Sequence, residues 1–156
     1  MAQTVGAKSM RNVDVRYSST SSWLWNDISG QLNSLEVAGG DRITGEAYTA
    51  AGERPIVLFG KLEPIDVSGN VVYSEITAEA FIDLEALWVA GTDLKIRWAP
   101  GGLATGNLIY TTATCQLTSF GYPGGEVSDG DPIMLEWAVK TGQITYARMT
   151  TASGTW

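Results

Sequence analysis

Carboxylates are the reactive groups this sequence offers in quantity, and two pairs stand close enough along the chain to act together. Glu63 and Asp66 form one pair, Asp129 and Asp131 the other. Two carboxyl groups whose surroundings separate their pKa values can serve as acid and base. Ser128-Asp129-Gly130-Asp131 also has calcium-loop chemistry, yet it lacks the ordered spacing and closing Glu of an EF-hand. A β-turn accounts for those residues more simply. Gly101-Gly102 and Gly124-Gly125 share only glycine content with phosphate-cradling loops, since neither opens a helix after a strand. Six tryptophans offer a third chemistry, stacking on sugar rings. Trp23 and Trp25 stand two apart on one strand face, either as such a platform or packed into a core or contact. Trp88, Trp98 and Trp137 fall on apolar faces and read as core, while Trp156 is a terminal anchor or a frayed end.

The chain holds no histidine, which removes His-based triads, the commonest general base and most zinc sites. Only Ser-Lys or carboxylate schemes remain for an enzyme. Cys115 is the sole cysteine, so an intramolecular disulfide and a thiolate metal cluster are both impossible. Its setting in Thr114-Cys115-Gln116-Leu117 reads as a small strand residue. At 156 residues, with 44% apolar and 17% charged content, one globular domain with a real core is expected over residues 1–156. The first residues lack the apolar stretch of a signal peptide, and no window approaches the roughly 18 apolar residues of a membrane helix. Seventeen acidic residues against ten basic ones give a net charge of −7, which argues against binding DNA by phosphate neutralisation.

The elements that must position these groups are mostly strands. Residues 13–17 alternate, 23–25 form a second candidate after a Ser/Thr-rich turn, and 32–38 a third that ends at Gly39-Gly40. Residues 41–62 are a long excursion in which short apolar pieces break up polar and glycine-rich stretches. Ile65, Val67, Val71 and Tyr73 then alternate with Asp66, Ser68 and Asn70. Residues 94–98 alternate and stop at Pro100-Gly101-Gly102, and 107–122 are one long strand or two with a bend. Ile133, Leu135, Trp137 and Val139 share a face, Thr141-Gly142 is placed for a tight hairpin turn, and 143–149 form its return strand.

One helix interrupts the strands, at residues 77–90. Phe81, Leu84, Leu87 and Trp88 recur at three and four residues and make one apolar stripe. Thr77 suits the N-cap, Ile76 and Phe81 the staple, and Gly91 the left-handed exit. A helix with one apolar face in a β-rich chain must lie on a sheet. The expected architecture is a mainly β fold, an antiparallel sandwich or barrel with one flanking α-helix.

This order of elements resembles the tail tube (major tail) proteins of long-tailed bacteriophages. The resemblance rests on Asp14-Val15-Arg16-Tyr17-Ser18, on Trp25 to Gly30, on Gly39 to Tyr48, on Asp93 to Gly102 and on Gly125 to Met134. It covers roughly residues 13–149 and consists of glycine turns and strand patterns in an expected order. It implies a non-enzymatic virion protein without cofactor or metal, whose barrel joins neighbours in a hexameric ring, the rings stacking into a hollow tube. Partners would be a tape measure protein, a tail terminator and distal tail proteins, with double-stranded DNA passing through unbound and no membrane involved. The place would be the virion tail, assembled in the host cytoplasm. A head-to-tail completion or tail terminator ring has a similar fold and stays open, as does a carbohydrate-binding module if Trp23 and Trp25 are exposed.

Within that frame, residues 1–12 are expected as an N-terminal arm and 150–156 as a short tail. The excursion at 41–62 is an intersubunit arm or an ordinary extra hairpin, with Asp41, Arg42, Glu46, Tyr48, Glu53 and Arg54 as candidate contacts. Carboxylates lining a channel would repel phosphate and let a duplex slide. Strand alternation nominates Glu63, Asp66 and Glu136 as lumen-facing acids.

Overall fold

The computed structural model describes residues 13–20, 24–47, 52, 56–124 and 130–150. Eleven strands, one α-helix and a short 3-10 turn appear among them. The first sheet has the order β11-β8-β7-β1-β2, built from β1 (Asp14–Ser19), β2 (Asn26–Asp27), β7 (Leu94–Ala99), β8 (Leu108–Thr112) and β11 (Ile144–Arg148). The second has the order β3-β6-β10-β9, from β3 (Leu32–Gly39), β6 (Ile65–Val72), β9 (Leu117–Phe120) and β10 (Met134–Thr141). A separate two-stranded sheet pairs β4 (Arg42–Ala47) with β5 (Ile56–Leu62). Every pairing is antiparallel.

Period-two alternation explains how the two large sheets meet. Val15, Tyr17, Leu94, Ile96 and Trp98 from the first face Val67, Val71, Leu135, Trp137 and Val139 from the second in one buried core. Trp137 is wholly buried. It has room because Gly69 lies opposite it, where a Cβ would come within 3.0 Å of its ring. A smaller cluster of Ala99, Ile109 and Met149 is packed by Leu103.

Helix α1 (Ala80–Ala90) packs against β9 and β6. Phe81 and Leu84 are buried, whereas Leu87 and Trp88 are only partly buried against the core. The helix starts later than its apolar spacing predicts. Residues 76–79 form a bend in which Ala78 takes a φ of 69°, and the exposed Ile76 makes no staple. Thr77 is not the cap. Glu79 holds that position without a side-chain cap, and Gln31, from the 3-10 turn Ser29–Gln31, accepts the Ala80 N–H at 2.8 Å. At the far end Gly91 is left-handed, and the N–H groups of Gly91 and Thr92 bond the carbonyls of Trp88 and Leu87.

Two further expectations are corrected. Residues 144–148 are not the return strand of a hairpin with β10. Thr141-Gly142-Gln143 instead carries the chain across the sandwich, and β11 pairs with β8. The turn residues promise a reversal but cannot say which sheet receives the next strand. The stretch 107–122 takes the second of its two expected forms, two strands, which lie on different sheets, and Cys115 between them bonds back to Leu94 through both backbone groups. The strand after the first turn is only Asn26–Asp27, so Trp25 lies just before it.

Candidate functional site

The excursion at 41–62 is an antiparallel hairpin outside both large sheets. Its neck is closed by Gly40 N–H to the Pro64 carbonyl at 3.2 Å and Glu63 N–H to the Asp41 carbonyl at 2.8 Å. Gly39 is required at this exit: its φ is 81°, and a Cβ there would meet the Pro64 oxygen at 2.6 Å. A bulge sets Ile43 against Gly60 and Lys61. Beyond it, Gly45 faces Leu58 and Ala47 faces Ile56. With Ile43 on the same side by alternation, this face carries Ile43, Ala47, Ile56 and Leu58. The other carries Thr44, Glu46, Val57 and Phe59. Every residue of β4 and β5 is exposed, Leu58 by 66% and Phe59 by 71%. A two-stranded hairpin is at best marginally stable in water, so so much bare apolar surface needs a partner.

The second surface is the outer face of the second sheet. Strand register arranges it in three rows: Ser34–Asn70–Glu136, Glu36–Ser68–Ala138–Ser119 and Ala38–Asp66–Lys140. Lys140 and Asp66 form an ion pair at 3.3 Å, about half-exposed. Ser34, Glu36, Ser68, Asn70 and Glu136 line a shallow depression of about 160 Å³. The face is small-featured and polar, with three acids against one lysine. It holds no assembled acid–base or metal site; among the described residues no cluster of His, Cys, Asp and Glu could hold a metal ion.

Of the three acids nominated from alternation, Asp66 and Glu136 lie on this face together. Glu63 does not; it sits in the exposed connection between β5 and β6, where an extended run and a turn look alike in sequence. Glu36 belongs to the face, and alternation along β3 could have found it. Of the arm candidates, Asp41 is at the neck and Arg42 and Glu46 are on β4, with Arg42 donating to the Gly60 carbonyl at 3.1 Å. Tyr48, Glu53 and Arg54 lie outside the described residues, as do the expected arm at 1–12, Trp23, Asp129 and residues 151–156. The apolar hairpin residues were the missed ones; their short hydrophobic runs read equally as core.

Trp25 does not offer a bare ring. The Arg97 guanidinium stacks on it at 3.8 Å from the centroid, a cation–π contact. Trp98 and Trp137 are core residues, as their strand faces imply. Cys115 is buried, and that burial pushes its thiol pKa up, away from the reactive thiolate.

The chain is mainly β, with antiparallel sheets and one helix, and its fold is tail-tube-like. It is similar to a chain of the sheath–tube complex of an extracellular contractile injection system in its extended state (TM-score 0.67, 13% identity, 94% of this chain and 95% of that one). It is similar also to a chain of the SPP1 tail tube (0.68, 8%, 90% and 79%). A chain from the tail of an empty GTA particle, computed with C6 symmetry, matches at 0.64, with 14% identity over 94% and 99%. Chains from a sheath/tube terminator and from a tube-terminating cap match at 0.60 and 0.58. No family model and no curated protein matches the sequence.

Proposed function

We propose that this protein is a non-enzymatic structural subunit of a tail tube, forming hexameric rings that stack into a conduit for DNA in a virion tail. The exposed hairpin carries this reading, because its bare apolar face gains stability only by docking on another molecule. The rest of the architecture agrees. Strands β3 and β9 are the open edges of the second sheet, and β9 of one copy beside β3 of the next would continue the sheet around a ring. The face with Glu36, Asp66 and Glu136 then lines the channel, where carboxylates repel phosphate and a duplex slides. Tape measure, terminator and distal tail proteins are the expected partners along and at the ends of such a tube, assembled in the host cytoplasm.

The second reading is a terminator ring, favoured by the likeness to terminator and cap chains. A sugar platform is disfavoured because Arg97 covers Trp25. Electron microscopy of the purified protein at high concentration separates the three. Tubes support the proposal, single rings support the terminator, and monomers remove both.

A further inference from the structure

The surface that receives the hairpin is identified by following the second sheet to its other end. The hairpin leaves this sheet where Gly39 pairs with Ile65. At the opposite end, Val72 pairs with Met134 and Tyr73 N–H bonds the Ile133 carbonyl. There lies a second bare apolar patch. Ile76 is 64% exposed, Tyr122 58% and Ile133 43%. The patch is anchored in the core by a relay of rings: Tyr73 meets Phe81 edge-on, Phe81 meets Phe120, and Phe120 meets Tyr122 edge-on, with centroids 4.9, 5.5 and 5.9 Å apart. Such a surface is rigid before anything binds, which lowers the cost of docking.

Charge points the same way. The described residues near this end, 72–80, 120–124 and 130–134, contain no Lys or Arg but do contain Glu75, Glu79 and Asp131. The hairpin strands carry Arg42 and Lys61 against Glu46, a net charge of +1 in a protein of net charge −7, while 41–62 as a whole is balanced. Two hairpins would bring apolar to apolar as well, but like charge to like charge. Hairpin against the aromatic pole joins apolar surface and opposite charge together.

We propose that the hairpin of one copy docks on the Tyr73–Ile76–Tyr122–Ile133 pole of the next, so that copies stack head to tail; this rests on the tube reading and names the contact that builds it. The contact is heterologous, two different surfaces at opposite ends of one subunit, and a heterologous contact repeats without closing. Each ring therefore presents hairpins on one side and poles on the other, which gives the stack one polarity.

The test uses the full chain and exposed positions. Leu58→Asp spoils the hairpin; Tyr122→Asp, with Ile76→Asp as an independent second variant, spoils the pole. Each variant alone should lose all assemblies longer than one ring by mass photometry. Leu58→Asp mixed with Tyr122→Asp should form two-ring particles and nothing longer, since one intact hairpin side and one intact pole side remain. Oxidation of the Leu58→Cys/Tyr122→Cys protein should give a ladder of linked chains on a denaturing gel, because the length of β6, about 23 Å at the usual strand rise, separates the two ends within one chain. Normal stacking by both pole variants, or no ladder, overturns the docking while leaving the tube reading intact. A wild type that gives no ring overturns the tube reading, and the ladder still decides the docking.

Discussion

Tyr17 is the residue that ties the first sheet to the helix. It is buried on β1, and its hydroxyl donates to Asp83 Oδ2 at 2.7 Å. Burial first, and then the Asp83 carboxylate, push its pKa well above the ordinary phenol value near 10. The folded protein therefore keeps a proton that the unfolded chain gives up in alkali. The stabilisation is full below about pH 10 and is lost as pH rises from there toward the folded pKa. Tyr17→Phe should cost about 1.5–3 kcal/mol at neutral pH, as for a hydrogen bond to a charged group. It should also flatten the alkaline fall in stability; urea melts at pH 8 and pH 11 check both, and an unchanged alkaline slope would refute the assignment. Along the helix, depth of burial orders the losses. Leu84→Ala, at a fully buried site, should cost about 2–5 kcal/mol, and Trp88→Ala less than the about 3–5 kcal/mol of a wholly buried aromatic. A larger loss at Trp88 than at Leu84 in thermal melts would reverse that order.

At the scale of elements, the hairpin is separable from the sandwich because its neck closes on itself at Asp41, Glu63, Gly40 and Pro64. Replacing residues 42–61 with a short glycine turn should leave the melting temperature within a few degrees and abolish tubes, since intersubunit area is lost while the core is spared. Tubes of normal length from the shortened protein would show that the hairpin is not the arm. The same element shows where sequence stops being legible. Strong alternation in β6, β7 and β10 announced their inner faces, and the helix stripe and Gly91 announced one helix and its end. Partner choice was hidden. Nothing at Thr141-Gly142 distinguishes a hairpin from a crossing between sheets, because both need the same reversal. The Gln31 cap was equally out of reach, as it joins residues 49 apart in sequence. The hairpin was legible as an excursion from its broken apolar runs, but that Ile56-Val57-Leu58-Phe59 stands bare in it shows only in the fold. The polar face was half-legible. Asp66 and Glu136 follow from alternation, but that β3 places Glu36 beside them depends on which strand pairs with β6.

For the whole molecule, charge decides between a conduit and a DNA-binding ring. The outer face of the second sheet carries Glu36, Asp66 and Glu136 with Lys140, a net charge of −2 per copy. Repeated around a ring, these charges repel one another, and salt screens them over a Debye length of about 8 Å at physiological strength. Added salt should then lower the protein concentration at which tubes form, read by light scattering. Duplex DNA should show no measurable affinity for the wild-type ring at any salt. Converting Glu36, Asp66 and Glu136 to lysine turns the same face to a net charge of +4 without touching the core, since these side chains point away from it. That variant should capture duplex at low salt and release it as salt rises, with log affinity falling in proportion to log salt at about 0.9 per phosphate neutralised. Filter binding from 20 to 500 mM salt (on the order of the range over which such slopes are resolved) distinguishes the cases. Tight binding by the wild type at low salt would end the conduit reading. Lysine rings that form normally yet hold no DNA would mean this face does not line the channel, and the lining would have to be sought on the first sheet.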